Sequence, residues 1–115
     1  MAHWNLGSLR QQRGDLAGAE AAYRASAVAD PQHANAHCSL GMVLQQCDDC
    51  AGAEIAYRAA IAANPSLVKA HCNLGVILAN CGDDAGAARS FVTALKIDPS
   101  HAQAKAGLQL ALEGL

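Results

Sequence analysis

The side chains of this chain with the most evident reactive chemistry are its five cysteines. Cys47 and Cys50 form a Cys-x-x-Cys pair across a predicted turn, and Cys81 is the equivalent of Cys47 in the next copy of a sequence repeat. Three thiols on one edge of a protein could bind zinc or form a switchable disulfide. The sequence contains no second Cys-x-x-Cys pair and no evident fourth ligand, so the competing interpretation is that the cysteines are small apolar side chains repeated by duplication.

Histidines recur with the same period, as His3, His37 and His71. Consecutive units of a helical stack lie roughly 10 Å apart, whereas zinc–nitrogen bonds are about 2 Å long. The three rings therefore cannot meet on one ion, and we predict that they pack against neighbouring helices. We predict that the protein binds no cofactor.

No nucleophile–base pair, phosphate loop or catalytic carboxylate pair is evident, and we predict that the protein is not an enzyme. The adjacent acids Asp48-Asp49 and Asp83-Asp84 stand at the starts of predicted helices. Acidic side chains there cap the helix and complement its dipole, which accounts for them without catalysis.

The composition restricts the class of protein. The chain has 115 residues, is 52% apolar and only 3% aromatic, and carries a net charge of −2. Small aliphatic residues at this density favour packed helices over sheet. The cations are scattered, so we predict no nucleic-acid partner, and no apolar run approaches the roughly 18 residues of a membrane span. An odd cysteine count argues against a complete disulfide framework and favours a cytoplasmic protein.

The elements that carry these residues repeat with a fixed period. The string at residues 36–41, Ala-His-Cys-Ser-Leu-Gly, is nearly reproduced at residues 2–7 and again at residues 70–75. The spacing of apolar residues, with the stops at Pro31, Pro65 and Pro99, predicts helices over residues 1–13, 16–30, 34–46, 50–63, 68–80, 84–97 and 100–113. Five columns recur in all three copies: Leu6, Leu40, Leu74; Gly7, Gly41, Gly75; Ala19, Ala53, Ala87; Tyr23, Tyr57, Phe91; and the three prolines.

This pattern resembles the tetratricopeptide repeat family over essentially the whole chain. The resemblance implies one all-α domain, a right-handed α-solenoid of three helix pairs (residues 1–33, 34–67 and 68–101) with a capping helix at residues 102–115. We predict that each column glycine faces the column alanine, and that the ring fills the space between pairs. Gly18, Gly52 and Gly86 stand where the family often has an acidic residue, which predicts weakly held helix starts.

In the family, the first helix of each pair lines the concave side. That placement yields a neutral, amide-rich candidate groove, able to pair with the backbone of an extended peptide or with a partner helix. Its predicted members are Trp4, Asn5, Ser8, Gln11, Gln12, Asn35, Cys38, Ser39, Met42, Gln45, Gln46, Lys69, Cys72, Asn73, Val76, Ala79 and Asn80.

Two subtypes of the family give different expectations for this groove. Co-chaperones that hold a C-terminal carboxylate use cations and asparagines at the positions of Trp4, Ser8, Ser39, Lys69 and Asn73, and only Lys69 agrees. The repeats of O-GlcNAc transferase-type proteins carry an asparagine ladder before the Leu-Gly pair. Asn5 and Asn73 match that ladder and Ser39 interrupts it, so the second style is closer.

The sequence leaves a structural role open beside peptide binding. Nothing covers the outer face of the first helix, so the chain could stack end to end on another copy or on further repeats. In the last helix, Lys105, Gln109 and Glu113 are predicted to face water while Leu108, Ala111 and Leu112 cover the third pair.

Overall fold

A computed structural model describes residues 2–115 of the chain, and the side chains from Leu6 onward. The described residues form seven helices: α1 (Ala2–Gln12), α2 (Leu16–Ala29), α3 (Ala34–Gln46), α4 (Cys50–Ala63), α5 (Val68–Asn80), α6 (Asp84–Ile97) and α7 (Ala102–Glu113). The all-α class and the helix-pair order are confirmed, and the predicted bounds of α3 to α6 match the observed bounds. No helix among the described residues is both long and apolar enough to cross a bilayer.

The helices form two compact units that meet in sequence at Pro65 and Ser66. In unit 1, α1 packs on α2, α2 on α3 and α3 on α4; in unit 2, α5 packs on α6 and α6 on α7. Neighbouring helices within each unit run antiparallel. Each of α2, α4 and α6 ends at an extended residue that precedes a proline, as the proline ring requires.

The turns inside the helix pairs share one backbone geometry. Gly14 (φ 79°), Asp48 (φ 62°) and Gly82 (φ 87°) occupy the left-handed region at equivalent positions. The next residue in each turn donates its N–H five residues back, as Asp49 does to the Leu44 carbonyl at 2.8 Å. This is the Schellman arrangement, which satisfies carbonyls at the end of a helix.

Aspartates cap the second helix of every pair. Asp15, Asp49 and Asp83 accept hydrogen bonds from the backbone N–H groups of Gly18, Gly52 and Gly86, at 3.0, 3.0 and 2.9 Å. A β-carbon on any of these glycines would lie within 2.5 Å of the capping carboxylate. The glycines therefore leave room for the cap, and these helix starts are held by the aspartates rather than by an acidic residue at the glycine position.

The glycine of each Leu-Gly pair packs against the aromatic ring of its own pair. A β-carbon on Gly41 would lie 2.6 Å from Cε1 of Tyr57, and one on Gly75 would lie 2.8 Å from Cε1 of Phe91. The atoms nearest to these glycines are ring atoms rather than atoms of the alanine column. Ala53 and Ala87 are fully buried, so they still belong to the core.

Several apolar residues lie elsewhere than predicted. The apolar spacing of α2 predicts that Val28 faces inward, but it is 81% exposed. Leu112, expected to cover the third pair, is 55% exposed. In α7 the buried residues are Ala104 and Ala111, which lie on a narrower stripe than the leucines. The helix also begins two residues later than predicted, because the His101 side chain caps it by accepting from the Ala104 N–H at 3.2 Å.

Candidate functional site

In unit 1, the buried tyrosines of the second helices hold glutamines of the first helices. The Tyr23 hydroxyl donates to Oε1 of Gln11 at 2.9 Å, and the Tyr57 hydroxyl donates to Oε1 of Gln45 at 3.0 Å. Both pairs have the same separation in the sequence. The ring of each tyrosine therefore anchors the core while its hydroxyl fixes an amide of the candidate groove.

Burial raises the pKa of both phenols. Desolvation raises the pKa of Tyr57 far above its ordinary value, and the Cys38 thiol raises it further. Desolvation also raises the pKa of Tyr23, although hydrogen bonds to Ser8 and Ser39 partly oppose that rise. Each hydroxyl consequently remains a donor across the physiological range, and each glutamine is held by its amide oxygen.

The predicted wall of unit 1 is formed by α1 and α3, and its members differ in exposure. Gln11 Nε2 donates to Oε1 of Gln46 at 3.2 Å, which links the two helices. Trp4 and Asn5 lie outside the residues whose side chains are described. The remaining predicted members are partly or well exposed: Ser8, Gln12, Asn35, Ser39, Met42, Gln45 and Gln46. Cys38 is 0% exposed, so its assignment to the groove surface was wrong: the helix turns that position into the core.

In unit 2, α5 carries the corresponding positions. Lys69 and Asn80 are exposed, and Asn73, Val76 and Ala79 are partly exposed. Cys72 is buried, and desolvation raises the pKa of its thiol, so it is also removed from the surface. A tyrosine–glutamine pair cannot form here, because Phe91 and Ala79 occupy the two equivalent positions.

The thiol and metal hypotheses gain no support from the described residues. None of their five cysteines is in a disulfide, and no three His, Cys, Asp or Glu side chains among them are grouped as a metal site requires. Cys47 and Cys81 are exposed at the turns, while Cys50 is half-buried in α4. His37 Nε2 contacts the Pro31 carbonyl at 2.9 Å and His71 is buried, whereas the His3 side chain is outside the described set.

Sequence reasoning missed the tyrosine–glutamine contact, although a signal for it was present. In the first two copies of the repeat, Tyr and Gln occupy these two positions, whereas the third copy has Phe91 and Ala79 there. The loss of both polar partners in the same copy indicates a contact between the two positions. A search for residues that change together between copies would have found it.

Comparisons with known proteins support the repeat pattern. A family profile described as tetratricopeptide repeat matches residues 68–101, and a second profile with the same description matches residues 1–34. The two matches together span more than half of the chain. No curated protein sequence matches it.

Solved structures share the fold along nearly the whole chain. MamA is similar with a TM-score of 0.93 and 26% identity, over 97% of this chain and 66% of its own. A mutant O-GlcNAc transferase of Thermobaculum terrenum gives 0.85 and 28%, over 96% of this chain and 21% of its own. The second repeat domain of human RPAP3, solved in complex with an HSP70 peptide, gives 0.91 and 23%, over 96% of this chain and 92% of its own.

Proposed function

Because this chain belongs to the tetratricopeptide repeat family, we propose that the first-helix wall of unit 1 binds an extended peptide or a helix of a partner protein. Domains of this family generally serve as protein–protein interaction modules. The observation that carries the proposal is the pair of fixed glutamines, Gln11 and Gln45, on a wall that is otherwise neutral.

The fixed amides indicate which part of a peptide the wall recognises. Since the Tyr57 hydroxyl already binds the amide oxygen of Gln45, the amide nitrogen is the group available to a ligand, and it donates. Peptide carbonyls accept such bonds whatever side chains they follow. We therefore propose recognition of an extended backbone, with Met42 supplying an exposed apolar contact.

The same residues favour one style of groove over another. A multidentate carboxylate site needs several cations, and among the matched positions Lys69 is the single cation, while Ser8, Ser39 and Asn73 are neutral. We propose that the amides of the unit 1 wall act on a peptide backbone in the style of the asparagine ladder of O-GlcNAc transferase-type repeats. The human RPAP3 complex with an HSP70 peptide is a likeness of fold, so its ligand is not transferred to this chain. We also propose a cytoplasmic setting, on the basis of the odd number of cysteines in the sequence.

The test is an isosteric change that removes the donor and leaves the tyrosine satisfied. Peptides are first selected from a random-sequence library displayed on phage, and their affinities are measured by calorimetry. Gln45→Glu keeps an acceptor for the Tyr57 hydroxyl but removes the amide N–H group, so binding should weaken about fivefold while the melting temperature stays nearly constant.

The matched control is Gln32→Glu, which makes the same chemical change at an exposed position outside the helices. It should leave the affinity unaltered. Full affinity in the Gln45→Glu protein would show that the Gln45 amide is not the contact.

Self-association is the second candidate, and α1 favours it. Leu6 and Leu9 are 39% and 44% exposed, whereas their counterparts Leu40 and Val43 are buried. An apolar helix face that no described helix covers could stack on another copy of the chain. Light scattering should then detect a dimer, and Leu9→Ser should return it to a monomer. A wild-type monomer at high concentration would exclude this role.

A further inference from the structure

Unit 2 contains a second surface, distinct from the first-helix wall, between α6 and α7. It is a groove of about 450 Å³ lined by Ala88, Arg89, Val92, Thr93, Lys96, Leu108 and Leu112. Val92 and Leu112 are 38% and 55% exposed, so the floor of the groove is apolar and accessible to solvent. No acidic side chain is among the described residues that line it.

The repeat period allows a direct comparison with a groove in unit 1, which is about 350 Å³ in volume and lies among α2, α3 and α4. Its rim carries Val28 and Ile55, which are 81% and 71% exposed. The α6–α7 groove corresponds, two periods later, to the part of the unit 1 groove that α2 and α3 line, and there the positions of Arg89 and Lys96 are Ala21 and Val28. Two exposed aliphatic positions of α2 are therefore cations in α6.

The α6–α7 groove is not shaped to receive an ordinary further repeat. In α3 and α5 the ring of the following helix packs against Gly41 and Gly75, where no β-carbon would fit. The equivalent position of α7 is Gln109. A second helix with a ring in the usual register would collide with this side chain, so the occupant must differ from α4 and α6.

The charges identify the chemistry of that occupant. An apolar floor flanked by two cations attracts an element that has leucine-like side chains on one face and carboxylates beside them. A helix is the element that presents both at once, through the i, i+3 and i+4 spacing. We infer that the α6–α7 groove docks an acidic amphipathic helix from a partner protein, at a site separate from the peptide wall.

The experiment uses the full chain and two synthetic helical probes of about four turns, roughly 14 residues each. One probe carries leucines on one face and glutamates beside them, and the other has lysine in place of every glutamate. Fluorescence anisotropy of the labelled probes should show the acidic helix binding about tenfold more tightly than the basic one. The double variant Arg89→Glu/Lys96→Glu should reverse this preference, and Leu112→Ser should weaken both probes.

Lys105→Glu is the matched control, since it reverses an exposed charge of α7 that does not line the groove. It should preserve the preference for the acidic probe, and circular dichroism should show every variant folded. The inference is overturned if the double variant still prefers the acidic probe, or if Gln45→Glu, on the other surface, abolishes its binding. Analytical ultracentrifugation could also overturn the inference. A dimer that Leu112→Ser dissociates would identify a second copy of the chain as the occupant of the groove.

Discussion

Tyr57 in unit 1 and Phe91 in unit 2 occupy the same position of successive repeats, and both rings pack on a glycine. Tyr57 also has a hydroxyl, which reaches Gln45 on the first-helix wall at 3.0 Å. Phe91 has none, and Ala79 offers nothing to bind. The ring position therefore performs the same packing role in both units, whereas the connection between core and surface belongs to unit 1.

This difference separates what the repeat needs to fold from what it needs to bind. Close approach of a glycine to a ring recurs in both units, and a β-carbon at either glycine would collide with that ring. The hydroxyl and the amide change together, because a buried phenol without a hydrogen-bond acceptor would destabilise the fold. We call the hydrogen-bonded pairs Tyr57–Gln45 and Tyr23–Gln11 the clasp. The two units should have equivalent cores and differ at the clasp.

The largest effect is expected where the units are most alike. Leu40 and Leu74 are 7% and 4% exposed, so truncation of either to alanine should lower the free energy of unfolding by about 2–5 kcal/mol. Leu6→Ala is the control, because that leucine is 39% exposed and its truncation removes less buried surface. Urea titrations followed by circular dichroism measure all three. A much smaller loss for Leu74 than for Leu40 would mean that the two cores are not equivalent.

A second prediction concerns the glycine that meets the ring. Gly41→Ala and Gly75→Ala should each destabilise the protein by about 1–2 kcal/mol, since the added carbon would lie 2.6 Å from the Tyr57 ring and 2.8 Å from the Phe91 ring. The favourable helix propensity of alanine offsets only part of this cost. Ala85→Gly, at an exposed position of α6, calibrates that propensity in the same assay. Stabilisation by Gly41→Ala would contradict the close approach.

The sequence alone predicted the helix order and most helix bounds, but not the glycine–ring contact. The repeat period indicated the order of the helices, and caps such as Asp49 and stops such as Pro65 indicated bounds that agree with α3 to α6. Those signals are local, so they can be read without knowing which helices pack together. The glycine–ring contact depends on how two helices pack.

The errors arose where a side chain's surroundings decide its role. Cys38 and Val28 each lie near the edge of a helix's apolar stripe, and a small rotation of the helix turns one inward and the other outward. Leu112 lies outside the buried stripe of α7, which Ala104 and Ala111 form. The Tyr57–Gln45 clasp depends on the reach of two side chains across a helix pair, which periodicity does not encode.

The clasp itself provides the third prediction. Tyr57→Phe should lower the free energy of unfolding by about 1 kcal/mol, because it removes one hydrogen bond from a partly buried pair. A double-mutant cycle with Gln45→Ala should assign most of that loss to the pair. The converse change, Phe91→Tyr with Ala79→Gln, should recover a similar amount in unit 2 only when both are present. Additive effects in the Tyr57–Gln45 cycle would mean that the hydroxyl is not bound to that amide.

The smallest expected effect concerns the turn between the helices of a pair. Asp48 holds φ at 62°, whereas unit 2 has Gly82 in the same turn. A left-handed conformation costs a residue with a β-carbon about 1 kcal/mol, and glycine recovers part of this while losing more freedom on folding. Asp48→Gly should therefore raise the free energy of unfolding by about 0.5 kcal/mol, and Gly82→Asp should lower it by a similar amount. Thermal melts of both variants measure the change in stability. Because the two changes should have opposite signs, each variant serves as the control for the other. Destabilisation by Asp48→Gly would contradict this prediction. It would mean that the Asp48 side chain makes a contact worth more than the cost of its left-handed backbone, so the turns of the two units would not be equivalent.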